Sequence, residues 1–345
     1  MCCRAIRSLT GFCLAGNRKN ACPDFLREEA KNRGWSFISA DYRLLIPATG
    51  KDILEDVEKL FEYITLKLPQ IDASRVAVGG GSAGGYVARL AALYAKPRPK
   101  ALYSLYGSKL DMLSSVQNPA CNELFSLVGG DFFSHLHMTP PPWRDADSLA
   151  KIAPMTRPTP EQAAQLKQEW DVPIGAGKET PYSTKNSLRT TFALWTGMVT
   201  EGTLLDFVCD IPGLGDKIRA SKAARNPTAE TSSTDPTIST TTRAGGEDAL
   251  VDLSIIPDDA KKLIPQLLLD SNFPPTHLSH GVEDASVLPT ESIRTYDQLK
   301  ALGVDTELEL VEGFGHMYEL GNESNPVVRK VLDKLIVFLL KHLEV

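Results

Sequence analysis

The chain has 345 residues, 42% of them hydrophobic and 23% charged, with a formal net charge of −6. That is enough apolar material for one large core with an insertion, or for two domains; the acidic balance gives no basic footprint for a nucleic acid, and no run of about 18 apolar residues offers a membrane span. Cysteines 2, 3, 13, 22, 121 and 209 are scattered, with neither C-x-x-C metal spacing nor a dense disulfide framework, so a reducing, cytoplasmic setting is expected.

In chain order, arginines 4 and 7 precede Leu9–Ala15, an apolar stretch too short and too broken by Thr10 and Gly11 to be a signal peptide. The same two arginines argue against a buried parallel strand at the opening, because such strands read as continuous apolar runs. A helix is expected from Pro23 to Arg33, stopped by Gly34, then a strand over Trp35–Ala40. From Lys51 to Leu68, Ile53, Val57, Leu60, Phe61 and Ile64 recur at helical spacing while Glu55, Glu58, Lys59 and Glu62 line a solvated face.

Next comes Arg75–Leu90. The β-branched run around Val76 and Val78 leads into Gly80-Gly81-Ser82-Ala83-Gly84 and then a helical stripe of Tyr86, Val87, Leu90 and Leu93. This is G-x-S-x-G in a strand–turn–helix context, where a sharp bend lifts a serine hydroxyl clear of the sheet. The bland alternative is a glycine-rich turn with an incidental serine. Gly79-Gly80-Gly81-Ser82-Ala83-Gly84 also satisfies the dinucleotide pattern G-x-G-x-x-G, but that reading needs an acidic residue at the end of the next strand. The next strand, Ala101–Gly107, ends without one.

Residues 109–270 are too many for a simple crossover and are expected to be a helical insertion. Thr159-Pro-Glu-Gln162 carries a capping-box helix start, and Phe192, Leu194, Trp195, Met198, Leu204 and Phe207 form an apolar segment. His135 and His137 make an H-x-H pair without further ligands at metal spacing. Residues 226–246 are almost free of large apolar groups and are expected to be a disordered loop.

Beyond the insertion, Thr276–Gly281 reads as a short buried strand that leaves Asp284 just past its end, where α/β sheets build their sites. A helix over Thr290–Leu302 and a strand over Thr306–Val311 follow, and His316 comes soon after that strand. Nucleophile, acid and histidine therefore appear in the order of a serine hydrolase. Glu283 competes with Asp284 as the carboxylate. His280 reads as a satisfied core or loop histidine, and Asp41 and Arg43 as a loop tie.

Four segments, Ser39-Ala-Asp-Tyr-Arg-Leu44, Gly79–Gly85, His280-Gly-Val-Glu-Asp284 and Gly313-Phe-Gly-His316, resemble in order and chemistry the hormone-sensitive-lipase or arylacetamide-deacetylase branch of the α/β-hydrolases. The likeness covers about residues 11–108 and 272–345. It implies a mostly parallel, doubly wound sheet with a helical cap, Ser82 as nucleophile, Asp284 as orienting acid and His316 as general base. It also implies an oxyanion hole from the Ala83 N–H together with Gly11, the one glycine that aligns with the family's H-G-G-G-F loop. Because the rest of that loop and the strands before it have no counterpart, the resemblance implies a chain lacking its N-terminal strands. The core is then expected over 1–108 and 271–345, with the cap over 109–270. The expected function is hydrolysis of carboxylic esters with small apolar acyl groups through an acyl-enzyme, on a small-molecule substrate, with no metal or organic cofactor. The alternative is a catalytically impaired relative that binds a ligand or partner, because of the altered glycine loop.

Overall fold

Six strands form a single sheet in the computed structural model, which describes residues 3–8, 23–45, 48–108, 198, 202–225 and 251–344. They are β1 (Cys3–Ser8), β2 (Ser36–Ser39), β3 (Ile71–Gly81), β4 (Ala101–Leu105), β5 (Thr276–Gly281) and β6 (Thr306–Val311). Their order is β2-β1-β3-β4-β5-β6, and every pairing is parallel. Parallel neighbours need crossovers, and helices supply them. These are α1 (Asp24–Asn32), α2 (Gly50–Lys67), α3 (Ala83–Tyr94), α4 (Leu204–Cys209), α5 (Leu214–Arg225) and α6 (Pro289–Ala301); a further helix, α7 (Pro326–Leu343), follows β6.

Side-chain alternation along the strands decides which helices cover which face. Val76, Val78 and Leu102 point into a core shared with α2, α3 and α6, whereas Ala77, Ala101, Tyr103 and Leu105 point into a second core shared with α1 and α7. Both faces of the sheet are therefore buried, as an all-parallel sheet requires. The helix α7 adds an element beyond those expected, though Val328, Val331, Leu335, Leu339 and Leu343 recur at helical spacing on its buried side.

The expected elements between Pro23 and Gly107 and between Thr276 and Val311 are all present, with ends shifted by a few residues. Local signals set several of these ends. Thr49 opens α2 with a capping box, its hydroxyl accepting from the Asp52 N–H while the Asp52 carboxylate accepts from the Thr49 N–H at 2.8 Å. Arg43 lies over the same turn and binds Asp52, Glu55 and Asp56 through its guanidinium, so this residue ties the loop to α2.

The expectation, from Arg4 and Arg7, that the opening residues form no parallel strand inside the sheet is corrected by the sheet order. Cys3–Ser8 lies between β2 and β3, with Ile6 in register with Phe37 on one side and Ala77 on the other. Composition misled here because the ladder is made by backbone N–H and C=O groups that every residue but proline carries, Arg4 and Arg7 included.

Of the insertion, the described parts are helical or irregular. Met198, Leu204 and Val208 join the core of α2 and α3, while Leu205, Leu214, Ile218, Val251, Ile256 and Ile264 form a small core of their own. The expected helix from Thr159, the segment Phe192–Trp195, the H-x-H pair His135 and His137, and the loop 226–246 lie outside the described residues.

Candidate active site

β3 runs into α3 through a single residue, Ser82, whose backbone has φ 52° and ψ −127°. A positive φ in a residue with a Cβ is strained by roughly 1–3 kcal/mol and persists only where its surroundings fix it. The fixing groups are specific. The Ser82 N–H donates to the Leu105 carbonyl at 3.1 Å, and the Ser82 carbonyl accepts from the N–H groups of Gly85 at 2.9 Å and Ser108 at 2.8 Å. Two further glycines beside the serine, Gly81 and Gly85, are there for space. A Cβ on Gly81 would sit 2.8 Å from the Tyr106 hydroxyl, and one on Gly85 would sit 2.6 Å from the Gly107 Cα. Behind this turn the buried Arg89 donates to the Ser108 carbonyl at 3.0 Å, and burial pushes its guanidinium down to about 10.

The strand ends of β5 and β6 bring two further groups to the same edge of the sheet. The His316 Nε2 lies 3.0 Å from the Ser82 Oγ, and its Nδ1 lies 2.7 Å from the Asp284 Oδ2. Asp284 is 2% exposed. Its Oδ1 accepts from the N–H groups of Ser286 and Val287, each at 2.9 Å, so the turn after β5 wraps around the carboxylate. Burial would raise this carboxyl, but hydrogen bonds from His280 and His316 outweigh it and hold the group down, at about 2. An ionised Asp284 makes the His316 Nδ1 the protonated nitrogen and leaves the Nε2 lone pair facing the serine hydroxyl. A serine, a base and an orienting acid in this arrangement can generate a nucleophile and return its proton to a leaving group.

Sequence reasoning left Glu283 and Asp284 as competing carboxylates. Glu283 Oε1 accepts from the Gly313 N–H at 3.0 Å and so braces the loop that carries His316, whereas Asp284 contacts the imidazole itself. Ala83, 3% exposed, opens α3, where first-turn N–H groups have no partner within the helix. Gly11 lies outside the described residues.

Three side chains around this triad were missed or undervalued. His280, fully buried, lies 3.1 Å from Asp284 Oδ2 through its Nε2. Tyr106, at the end of β4, presents its ring edge-on to His316 with centroids 4.8 Å apart, and its hydroxyl donates to the buried Glu319 at 2.5 Å. Burial raises the Glu319 carboxyl. The four-residue spacing His280–Asp284 was visible in the sequence; nothing there linked Tyr106 to Glu319. Among the described residues, no group of three or more histidines, cysteines and carboxylates could hold a metal ion, and no helix is long and apolar enough to cross a membrane.

Residues 10–138 match the family described as alpha/beta hydrolase fold. The crystal structure of carboxyl esterase 2 from the mycorrhizal fungus Tuber melanosporum superposes with a TM-score of 0.51 at 14% identity, over 99% of this chain and 79% of the other. The chain has the α/β-hydrolase fold. In α/β-hydrolase terms, Ser82 occupies the turn between a central strand and its helix, and Asp284 and His316 follow the next-to-last and last strands of the sheet. Two curated fungal proteins share sequence with this chain. One, named "Probable carboxylesterase M8", from Phoma sp., is 28% identical over 139 residues, 37% of this chain and 40% of the relative. The other, named "Probable carboxylesterase clz11", from Cochliobolus lunatus, is 29% identical over 125 residues, 33% of this chain and 52% of the relative. The chain thus spans about half, or less, of the length of the curated relatives it matches.

Proposed function

We propose that this chain is a serine hydrolase that cleaves carboxylic esters of small, apolar acyl groups through an acyl-enzyme. The observation that carries the reading is the continuous hydrogen-bonded path Ser82 Oγ–His316 Nε2 at 3.0 Å and His316 Nδ1–Asp284 Oδ2 at 2.7 Å, set on a strained turn. The names of the two fungal relatives, both carboxylesterases, support the ester as the substrate class.

His316 takes the Ser82 proton as Oγ attacks the ester carbonyl. The Ala83 N–H at the start of α3 stabilises the oxyanion. His316 then gives its proton to the departing alcohol. Water, activated by the same imidazole, releases the acid and regenerates Ser82. Met317, next to His316 in the chain, exposes apolar surface and favours an apolar acyl or alcohol group. The insertion between β4 and β5, docked on α2 and α3 through α4, is the cap of this reading.

The test is turnover of a p-nitrophenyl ester series from acetate to decanoate by the purified chain and by Ser82→Ala. Turnover of the short esters by the wild type, reduced by at least about 10³-fold in Ser82→Ala, supports the reading. Equal rates in the two proteins, or no turnover of any ester by folded wild type, overturn it.

A further inference from the structure

Two imidazoles meet one carboxylate oxygen in this site. Asp284 Oδ2 lies 2.7 Å from the His316 Nδ1 and 3.1 Å from the His280 Nε2. His280 also reaches the Val287 carbonyl through Nε2 at 2.8 Å and the Ser292 hydroxyl through Nδ1 at 2.7 Å. We propose that His280 is a positioning residue, which holds Asp284 Oδ2 in line with His316 by donating an Nε2–H whose tautomer is fixed by the two acceptors that face Nε2. The proposal rests on the esterase reading for its catalytic consequence.

The tautomer follows from the neighbours. A carbonyl and a carboxylate both face Nε2, and both can only accept, so the proton belongs there. Nδ1 is then a lone pair, and the Ser292 hydroxyl, on the first turn of α6, donates to it. The ring is fully buried and every polar atom on it has a partner, which is how a neutral histidine is tolerated in a core.

His280 also does what a hydrocarbon of its size could not. Val287 donates its N–H to Asp284 Oδ1 while its carbonyl accepts from His280, so the ring closes the turn over residues 284–287 from the side opposite its backbone donors. With Ser286 N and Val287 N on one oxygen and two imidazoles on the other, rotation of the carboxylate plane breaks at least one bond. Misplacement of a supporting group by about 1 Å can lower a rate about 10²-fold. Such a shift would separate Oδ2 from His316 first.

The groups that titrate or carry charge opposite Asp284 are His280 from β5, His316 from the loop after β6 and Tyr106 from the end of β4, with Glu319 behind Tyr106. Of these, only the two histidines donate to Asp284, so loss of one leaves the carboxylate easier to protonate.

The experiment compares wild type, His280→Leu, His280→Gln and Ser292→Ala. Side-chain nitrogen spectra of wild type should show His280 neutral and protonated on Nε2 at pH 7. His280→Leu should lose about 10- to 10²-fold in kcat with KM nearly unchanged, and the Asp284 carboxyl carbon should titrate at higher pH. His280→Gln, which keeps a donor near the Nε2 position, should recover most of both. Ser292→Ala removes only the partner of Nδ1, so it should keep the proton on Nε2 and lower kcat less. A wild-type His280 protonated on Nδ1, or a folded His280→Leu with wild-type kcat and Asp284 titration, overturns the proposal. If His280→Leu does not fold, the wild-type nitrogen spectrum and His280→Gln decide it. If wild type turns over no ester, the esterase reading falls alone, since the tautomer and the Asp284 titration are read without substrate.

Discussion

At the scale of single residues, Asp284 sets the chemistry of the site. Burial pushes its carboxyl up, and the donors from His280 and His316 overcome that and hold it near 2. Its folded value lies below the ordinary value of about 3.9. The resulting stabilisation, on the order of 2 kcal/mol, is therefore fully present above about pH 4 and is lost as pH falls toward 2. Thermal melts at pH 6, 4 and 2.5 should show wild type losing more stability over this interval than Asp284→Asn, which has no carboxyl to titrate there; parallel losses would mean that Asp284 is not held down. In ester hydrolysis, Asp284→Asn should lower kcat by about 10³–10⁴-fold because His316 loses its tautomer control and counter-charge. Glu283→Gln, which loosens only a bond to the Gly313 N–H, should stay within about tenfold. Reversal of the two effects would move the acid to Glu283.

At the scale of elements, four strand ends, those of β3, β4, β5 and β6, converge on one edge of the sheet, and a buried pair locks two of them together. Tyr106, leaving β4, donates to Glu319, on the turn beyond His316, while its ring meets the His316 imidazole edge-on. Tyr106→Phe keeps the ring and leaves a buried carboxyl without its donor, a change that costs about 1–3 kcal/mol. The melting temperature should fall by several degrees while the ester rate falls less than tenfold. An unchanged melting temperature would show that the pair does not stabilise the fold. How far the sequence revealed these elements follows from range. The elbow at Ser82, the strand before Asp284 and the helix with Val57, Phe61 and Ile64 were legible because their signals are periodic and local. The Tyr106–Glu319 contact joins residues with no local pattern in common; the spacing of His280 and Asp284 was visible, but the hold of one on the other depends on the turn geometry at Val287.

At the scale of the molecule, the sheet is completed by a strand whose composition argued against it. Cys3–Ser8 pairs with β2 and β3 at once, so two ladders depend on six residues. Each buried backbone group left unpaired costs about 1–3 kcal/mol, and the net stability of a domain is only about 5–15 kcal/mol. Removal of residues 1–8 should therefore abolish the cooperative thermal transition seen by circular dichroism. A shortened chain that melts like the full one would show that β1 does not hold β2 and β3 together. The same sheet delivers Ser82, Asp284 and His316 from β3, β5 and β6 to one edge, which is why residues far apart in sequence share one site.

The central claim, that Ser82 is a nucleophile activated by His316, is tested most directly with a fluorophosphonate, which bonds covalently to an activated serine far faster than to an ordinary one. Wild type should gain one adduct by intact mass, mapped by peptide analysis to the Ser82 peptide; Ser82→Ala should gain none and His316→Ala should react far more slowly. An adduct that persists in Ser82→Ala, or folded wild type that takes up no label, would contradict the account.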